Sequence, residues 1–163
     1  ALIALEREGL VTFEKTGRTR VRTIAEKDLR EIMEARAALE SMAAGLANRN
    51  WAEADTEFVT ENIEEQTKAR SLAELSRLDI DLHHYVVTCS GNLRLLQLWE
   101  PLRWQWEAHL VEIYRRQKSD DFIPEKETIK AHKHLLEALA NGTPSEASQS
   151  MMNHILFNLR WAK

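Results

Sequence analysis

The sequence is poor in cysteine, proline and glycine, with one Cys, three Pro and five Gly in 163 residues. Because Cys89 stands alone, the chain cannot form an internal disulfide, and a metal site built from several thiolates is excluded. Scarce glycine and proline favour long helices over many short strands. The composition therefore predicts a helical protein, and any metal site in it has nitrogen and oxygen ligands.

Long hydrophobic runs are missing as well. No apolar stretch approaches the ~20 residues that a membrane-spanning helix needs, and nothing resembles a signal peptide. We therefore expect a cytoplasmic protein. The sequence begins at Ala1, inside an apparent helix, so we also expect it to be a fragment of a longer chain.

The charge is unevenly distributed along the chain. A net charge of −4 excludes a general affinity of the whole molecule for nucleic acid. Residues 1–22 nevertheless carry five basic and three acidic side chains. A basic front on an acidic body is typical of a DNA-reading segment joined to another domain, although a solvated loop with a few arginines would look the same.

The first 22 residues predict a short helix followed by a β-hairpin. Leucines at helical spacing end at Gly9, where a helix C-cap glycine belongs. Alternating apolar residues then flank a basic turn, Lys15 to Arg18, as in a hairpin. This order matches the back half of a winged helix-turn-helix. The alternative is a helical tail and hairpin packed on the rest of the protein.

Helix start and stop signals divide the rest of the chain. Capping boxes at Thr23–Glu26, Ser71–Glu74 and Thr143–Glu146 each predict a helix start. Ser90–Asn92 and Asn141–Gly142 predict helix ends. We predict an all-α fold for residues 23–163, an antiparallel bundle of about six or seven helices. Residues 1–22 form the separate helix and hairpin.

Three finer predictions concern the middle of the chain. A helix is expected from about Ala52 to Ala69. Pro101 should kink or split the helix that begins at Leu93, because proline lacks the N–H donor. Lys118–Asp121 is predicted to be a loop before the next helix.

Arg36 and Glu40 form a charged pair on an otherwise apolar helix face. Burying such a pair is costly unless the charges meet each other or are used. The favoured interpretation is a structural salt bridge. The alternative is a contact between Arg36 and a bound ligand.

Four residues on three predicted helices have the spacing of a metal site. Asp79 and His83 are four apart and therefore point the same way. His132 lies 9 residues before Asn141, and His154 lies 10 residues after Pro144. Two helices joined by that tight turn should pack antiparallel, which puts the two imidazoles at the same height.

Three imidazoles and one carboxylate suit a borderline divalent metal, most of all Zn, with Ni, Fe or Mn as alternatives. Coordination positions would remain for water or a ligand. The alternative is that these are ordinary half-buried polar residues. His84 and His134 are rejected because both point away from the inward face, and His109 has no partner at helical spacing.

Taken in order, these motifs resemble a GntR-type transcription regulator of the FadR subfamily that carries the metal-binding version of the C-terminal effector (FCD) domain. The segments that carry the resemblance are Ala1–Val21, Glu34–Glu40, Asp79–His83 with Ser90–Asn92, His132–Leu139 and Met151–His154. Ala1–Val21 is similar to the end of the recognition helix with the wing, and Glu34–Glu40 to the Arg-x-x-Leu-Glu signature. Asp79–His83 with Ser90–Asn92 is similar to the pattern D-x-x-F-H followed by G-N. His132–Leu139 is similar to H-x-x-[IL]-x-x-A-[IL], and Met151–His154 to M-x-x-H.

The resemblance implies a transcription factor, expected to be a homodimer, whose effector domain binds a small carboxylate metabolite, a sugar acid or another organic acid, on or beside the metal. It assigns Asp79, His83, His132 and His154 as metal ligands, Arg36 and Asn92 as effector contacts, and Lys15, Arg18 and Arg20 as DNA contacts of the wing.

The sequence departs from the family pattern in three places. Leu82 replaces the usual Phe, Ala131 replaces a common Glu, and Thr19 stands between two arginines where a second wing glycine is frequent. The base-contacting part of the reader would precede Ala1, so we expect specific operator binding only from the full-length protein.

The sequence leaves two other functions as alternatives. A metal-dependent hydrolase or another metalloenzyme would need Glu40 or Asp81 to activate a metal-bound water. We predict that the protein is not an enzyme, because no general base or nucleophile is evident on the inward face. A structural dimerisation module without metal would be favoured if the four predicted ligands lay far apart.

Overall fold

The computed structural model describes residues 2–7, 11–14, 16–21, 26–120 and 122–161. Gly9, Lys15 and the first three residues of the Thr23–Glu26 capping box lie outside the described residues. The helix stop at Gly9, the wing role of Lys15 and the cap at Thr23 therefore stay predictions.

The described residues confirm the all-α prediction, with seven α-helices and one small sheet. In chain order the elements are α1 (Leu2–Arg7), β1 (Val11–Phe13), β2 (Thr19–Val21), α2 (Glu26–Asn48), α3 (Glu53–Lys68), α4 (Leu72–Cys89), α5 (Leu93–Ser119), α6 (Pro124–Asn141), α7 (Pro144–Phe157) and a short 3₁₀ helix (Asn158–Trp161). None of the described helices combines the length and apolar composition needed to cross a membrane.

The predicted hairpin is present directly after α1. Strands β1 and β2 pair antiparallel, with Val11 opposite Val21 and Phe13 opposite Thr19. Gly17 in the turn has φ +79°, a left-handed conformation that costs glycine little. The order of helix and basic hairpin is confirmed.

The two predicted capping boxes that the structure describes in full begin helices where expected. The Ser71 side chain accepts a hydrogen bond from the Glu74 backbone N–H at the start of α4. At the start of α7, Thr143 Oγ1 accepts from the Glu146 N–H, and the Glu146 carboxylate accepts from the Thr143 N–H. These caps fix where α4 and α7 begin and therefore which of their residues face inward.

The turn between α6 and α7 is fastened to α2. Asn48 Nδ2 donates to the backbone oxygens of Leu139 and Gly142, both at 2.9 Å. Helix α7 also packs very closely on α2, since a Cβ placed on Gly45 would lie only 2.4 Å from Ser148 Oγ. Glycine at position 45 is what allows this approach.

Two predictions in the middle of the chain need correction. Helix α5 runs unbroken through Pro101, so the segment is not split. Pro101 and Gln97, whose carbonyl loses its usual N–H partner, are both exposed, so water can satisfy that carbonyl. The helix also continues to Ser119, which makes Lys118 and Ser119 helical rather than part of a loop.

The core consists of two apolar clusters that share α2 and α4. One contains Met33, Ile80 and the buried tryptophans Trp99 and Trp106, and the other contains residues of α6 and α7 such as Leu139. Both α2 and α4 contribute to each cluster. The buried polar residues of α2 and α4 therefore lie within the core.

Candidate metal centre

Four polar side chains converge in the core and are called the histidine cluster below. Asp79 and His83 come from α4, His132 from α6 and His154 from α7. One ligand atom of each residue lies within 4.8 Å of the ligand atoms of the other three. The first three side chains are buried and His154 is half-buried. The imidazole centroids of His132 and His154 are 4.8 Å apart, as expected for residues at similar distances from one turn.

The short distances in the histidine cluster fit a single cation. Asp79 Oδ1 lies 3.0 Å from His132 Nε2 and 3.3 Å from His83 Nε2. His83 Nε2 lies 3.0 Å from His154 Nε2. Atoms that bind one zinc ion at ~2.0–2.1 Å in tetrahedral directions lie roughly 3.3 Å apart. Three nitrogens and one oxygen thus lie together, all within 4.8 Å of one another, as a group that could hold one divalent ion.

Two atoms of the cluster also lack hydrogen bonds. Asp79 Oδ1 and His132 Nε2 are both inaccessible to solvent and neither makes a hydrogen bond, because their 3.0 Å contact does not have hydrogen-bond alignment. Buried polar atoms in native proteins are nearly always partnered. A bound cation would satisfy both atoms, so the donor set fits a metal ion.

The rings and the carboxylate are oriented by further buried groups. His83 Nδ1 lies 2.5 Å from Glu40 Oε2, and His132 Nδ1 donates to Gln66 Oε1 at 2.8 Å. Tyr114 donates to Asp79 Oδ2 at 3.1 Å. Partners of this kind direct Nε2 of each ring toward a metal and fix the tautomer.

Arg36 and Glu40 form a buried ion pair next to the cluster. Arg36 Nε donates to Glu40 Oε1 at 2.6 Å, and Trp99 Nε1 donates to the same oxygen at 2.6 Å. The Arg36 guanidinium also stacks over the Trp106 ring, 4.8 Å from its centroid. The salt bridge expected from the sequence is therefore present.

Burial and charge set opposite protonation states within this region. Burial alone would raise the pKa of Glu40, but Arg36 and His83 lower it to about 2. Burial alone would lower the pKa of His83, but Glu40 and Asp79 raise it to about 9. Without a cation, His83 is therefore a positive charge between two carboxylates.

The other two imidazoles are driven toward the neutral form. Burial lowers the pKa of His132 despite the attraction of Asp79. Burial and the repulsion of His132 and His83 hold the pKa of His154 well below its usual range. Neutral imidazoles carry the free lone pair that a metal needs.

Two cavities adjoin the histidine cluster. The inner cavity has a volume of about 10 Å³ and is lined by Arg36, Asp79, His83, Trp106, His154, Ile155 and Asn158. The outer cavity has a volume of about 280 Å³ and opens between α6 and α7. Only the inner cavity brings Arg36 together with the cluster.

The remaining histidines lie elsewhere. His84 pairs with Glu100 at 3.0 Å, and His134 is exposed. His109 Nδ1 lies 3.0 Å from the Gln105 carbonyl of its own helix. None of the three belongs to the histidine cluster.

Three other predicted site residues are placed away from the cluster. The Asn92 side chain caps α5, accepting from the backbone N–H groups of Arg94 and Leu95, and it lines neither of the two cavities. Arg18 is exposed in the hairpin, and Arg20 pairs with Glu14. The effector role of Asn92 and the DNA role of the arginines stay predictions.

Sequence reasoning missed the residues that orient the cluster, above all Gln66. Its amide donates to Asn62 Oδ1 at 2.7 Å, and Asn62 Nδ2 donates to the Leu78 carbonyl at 3.1 Å. Both side chains are buried on α3. Two amides four residues apart on an inward helix face were the signal that could have found them.

The fold and the cluster define an all-helical domain with a buried centre of three histidines and one carboxylate. The sequence profile of the FCD domain matches residues 31–157, and the chain belongs to that family. A 30% identical relative over 139 residues is described as the probable D-xylose utilization operon transcriptional repressor of Paenarthrobacter nicotinovorans. The match covers 84% of this chain and 59% of the relative, so the chain spans little more than half of that protein's length.

Solved structures share the fold. The E. coli protein McbR/YncC has a TM-score of 0.82 at 19% identity, covering 99% of this chain and 80% of that one. A GntR family regulator from Pseudomonas syringae pv. tomato has a TM-score of 0.72 at 19% identity, covering 98% and 65% of the two chains. The resemblance to a GntR-type protein with an FCD domain is confirmed, while the FadR subfamily stays a prediction.

Proposed function

We propose that this chain is the sensing part of a GntR-type transcription regulator, in which the FCD domain binds a divalent metal ion and a small carboxylate metabolite. The convergence of three imidazole nitrogens and one carboxylate oxygen carries the proposal. The ligands are Asp79, His83, His132 and His154. Zinc is the preferred ion for this donor set, and Ni, Fe or Mn are alternatives.

The metal would supply a positive centre with open coordination positions, and the chain's own residues would hold the metabolite beside it. Arg36 lines the inner cavity together with Asp79 and His83. A guanidinium group pairs well with a carboxylate. Arg36 is therefore the proposed effector contact, held in place by Glu40, and Asn92 is retained from the family resemblance alone.

The N-terminal segment would connect sensing to DNA. In the proposed division, residues 1–22 are the end of a winged helix-turn-helix and residues 23–163 the effector domain. A homodimer of the full-length protein would place two recognition helices in successive major grooves, with Lys15, Arg18 and Arg20 of the wing near the backbone. Effector binding would shift the bundle toward the arrangement that binds it better.

A metal-dependent hydrolase gains no support from the geometry. Glu40 is completely buried and holds Arg36 and His83. Asp81 is engaged by Arg77 and Arg103. Neither carboxylate is placed to activate a water at the cluster. Ligands that lie far apart would favour a structural module without metal, and these four lie close together.

Elemental analysis of the purified protein tests the metal. We expect about one divalent ion per chain in the native protein and its loss from a His132→Ala/His154→Ala double variant. A His84→Ala/His134→Ala double variant removes two histidines outside the cluster and should keep the ion. Equal metal content in the two double variants would overturn the proposal.

Thermal shift over a panel of organic acids and sugar acids, with and without chelator, tests capture at the metal. We expect stabilisation by a subset of acids that disappears when the ion is removed. Shifts that survive chelation would contradict metal-mediated capture.

A further inference from the structure

The inner cavity is too small for a metabolite. Its volume of about 10 Å³ is near the limit for holding one water molecule. One oxygen of a carboxylate is therefore the largest group that fits between Arg36 and the histidine cluster. The rest of any ligand bound there must lie elsewhere.

The outer cavity is next to this space. His154 and Asn158 line both cavities, so these two side chains separate them. The outer cavity of about 280 Å³ exceeds the ~150 Å³ that accommodates a benzene ring. A ligand that reaches past His154 and Asn158 would find room for a body of ring size.

The walls of the outer cavity define what that body should be. Phe122 and Phe157 line it, with ring centroids 5.8 Å apart. Gln117 lines it too and is buried, with 2% of its surface exposed. Gln117 Nε2 donates to Asn158 Oδ1 at 2.9 Å, while Gln117 Oε1 makes no hydrogen bond. The cavity thus has apolar walls, and one of its lining amides is anchored through Nε2 while its buried Oε1 has no hydrogen-bond partner.

We propose that the outer cavity is a specificity subsite for an apolar, ring-sized group bearing a hydrogen-bond donor, carried by the carboxylate that binds at the cluster. This inference rests on the proposed function for the carboxylate end only. Gln117 Oε1 accepts from the donor, and Asn158 and His154 form the boundary that the ligand crosses. The preferred effector is then an amphipathic acid, in contrast to a short acid that brings no ring to the outer cavity.

Binding of two kinds of probe to metal-loaded protein tests the subsite. Benzyl alcohol, a neutral ring with a donor, probes the outer cavity alone, and acetate probes the carboxylate position without a ring. Phenylacetate, 3-phenylpropionate and 4-phenylbutyrate probe both cavities with increasing linker length. Ligand-observed NMR and calorimetry give the affinities for native protein and for two variants of Ser150, which lines the outer cavity on α7.

The Ser150→Phe variant fills the cavity, and Ser150→Ala is its matched control. We expect the Ser150→Phe variant to bind benzyl alcohol and the best phenyl acid at least tenfold more weakly than the native protein does. Its affinity for acetate should be unchanged. Ser150→Ala should bind every probe like the native protein. If Ser150→Phe does not fold, Ala131→Leu narrows the same cavity from α6 and carries the same expectation.

The outcomes separate the two proposals. Benzyl alcohol that binds native and filled variants equally, or does not bind native protein at all, overturns the subsite. Phenyl acids no tighter than acetate overturn it as well. If native protein binds benzyl alcohol but not acetate, the result would instead contradict the metal-centred function and still support the subsite. A Gln117→Leu variant should lose the preference for benzyl alcohol over toluene.

Discussion

The buried polar region has two halves that meet at His83 and differ in how their atoms are satisfied. In the α2 half, the Glu40 carboxylate accepts hydrogen bonds from Arg36 and Trp99 and contacts His83 Nδ1. The negative charge of Glu40 therefore faces the positive charges of Arg36 and His83. In the other half, Asp79 Oδ1 and His132 Nε2 lie together without a hydrogen bond. A protein core tolerates charges that are paired with opposite charges. Acceptor atoms that lie close together without donors are, by contrast, the arrangement that a cation binds. The first half therefore supports the fold, and the second is the part to which we assign the proposed metal site.

The largest expected effect is on the paired half. A Glu40→Ala variant leaves Arg36 buried without its partner, which should cost about 3–5 kcal/mol of unfolding free energy. Denaturant titration of metal-free protein measures this. Lys27→Ala breaks an exposed pair with Glu31 and should change stability very little. If the two variants were equally stable, the α2 half would not be a structural ion pair.

The binding half should respond to metal instead. Zinc at a free concentration of 100 times its dissociation constant should stabilise the native protein by about 2.7 kcal/mol. The His132→Ala/His154→Ala variant should gain none of this stabilisation. Thermal unfolding with zinc and with chelator gives both values, and identical shifts in the two proteins would contradict the assignment.

A smaller effect is expected from the group that orients His132. A Gln66→Leu variant removes the acceptor for His132 Nδ1 and should weaken metal binding roughly 10- to 100-fold, with the fold retained. Gln97→Leu, at an exposed position on α5, is the control. Competition with a chromophoric chelator measures the affinity. Unchanged affinity in Gln66→Leu would show that this hydrogen bond does not position the ring.

The smallest effect, counted per unit of pH, concerns proton release by His83. His83 has a pKa raised to about 9, so at neutral pH it is protonated without metal and must release the Nε2 proton to bind one. His132 and His154 have lowered pKa values and are already neutral. Metal affinity should therefore rise from pH 7 toward pH 9 by about tenfold per unit and then level off. Calorimetry in buffers of different ionisation heat should show about one proton released at pH 7, and none would refute the role of His83.

The sequence was sufficient for the parts of the cluster that local geometry controls. Helical periodicity placed Asp79 and His83 on one face, and the turn before Pro144 put His132 and His154 at matching heights. The rotation of α3 and α5 about their axes depends on packing across the whole core, which periodicity does not determine. Gln66 and Tyr114 were missed for that reason. Pro101 does not split α5, and its exposure, which lets the helix tolerate it, is also a property of packing.

The close contact of Gly45 with Ser148 places the first turns of α7 directly against α2. The N-terminal end of this helix is pinned on α2 by that contact and by Asn48 beneath the preceding turn. His154 lies ten residues beyond Pro144, or about 15 Å along the axis. A swing of about 5° at the pinned end would displace His154 by roughly 1.3 Å, far more than the ~0.2 Å that a metal–ligand bond tolerates. The position of His154 within the histidine cluster thus depends on the orientation of α7.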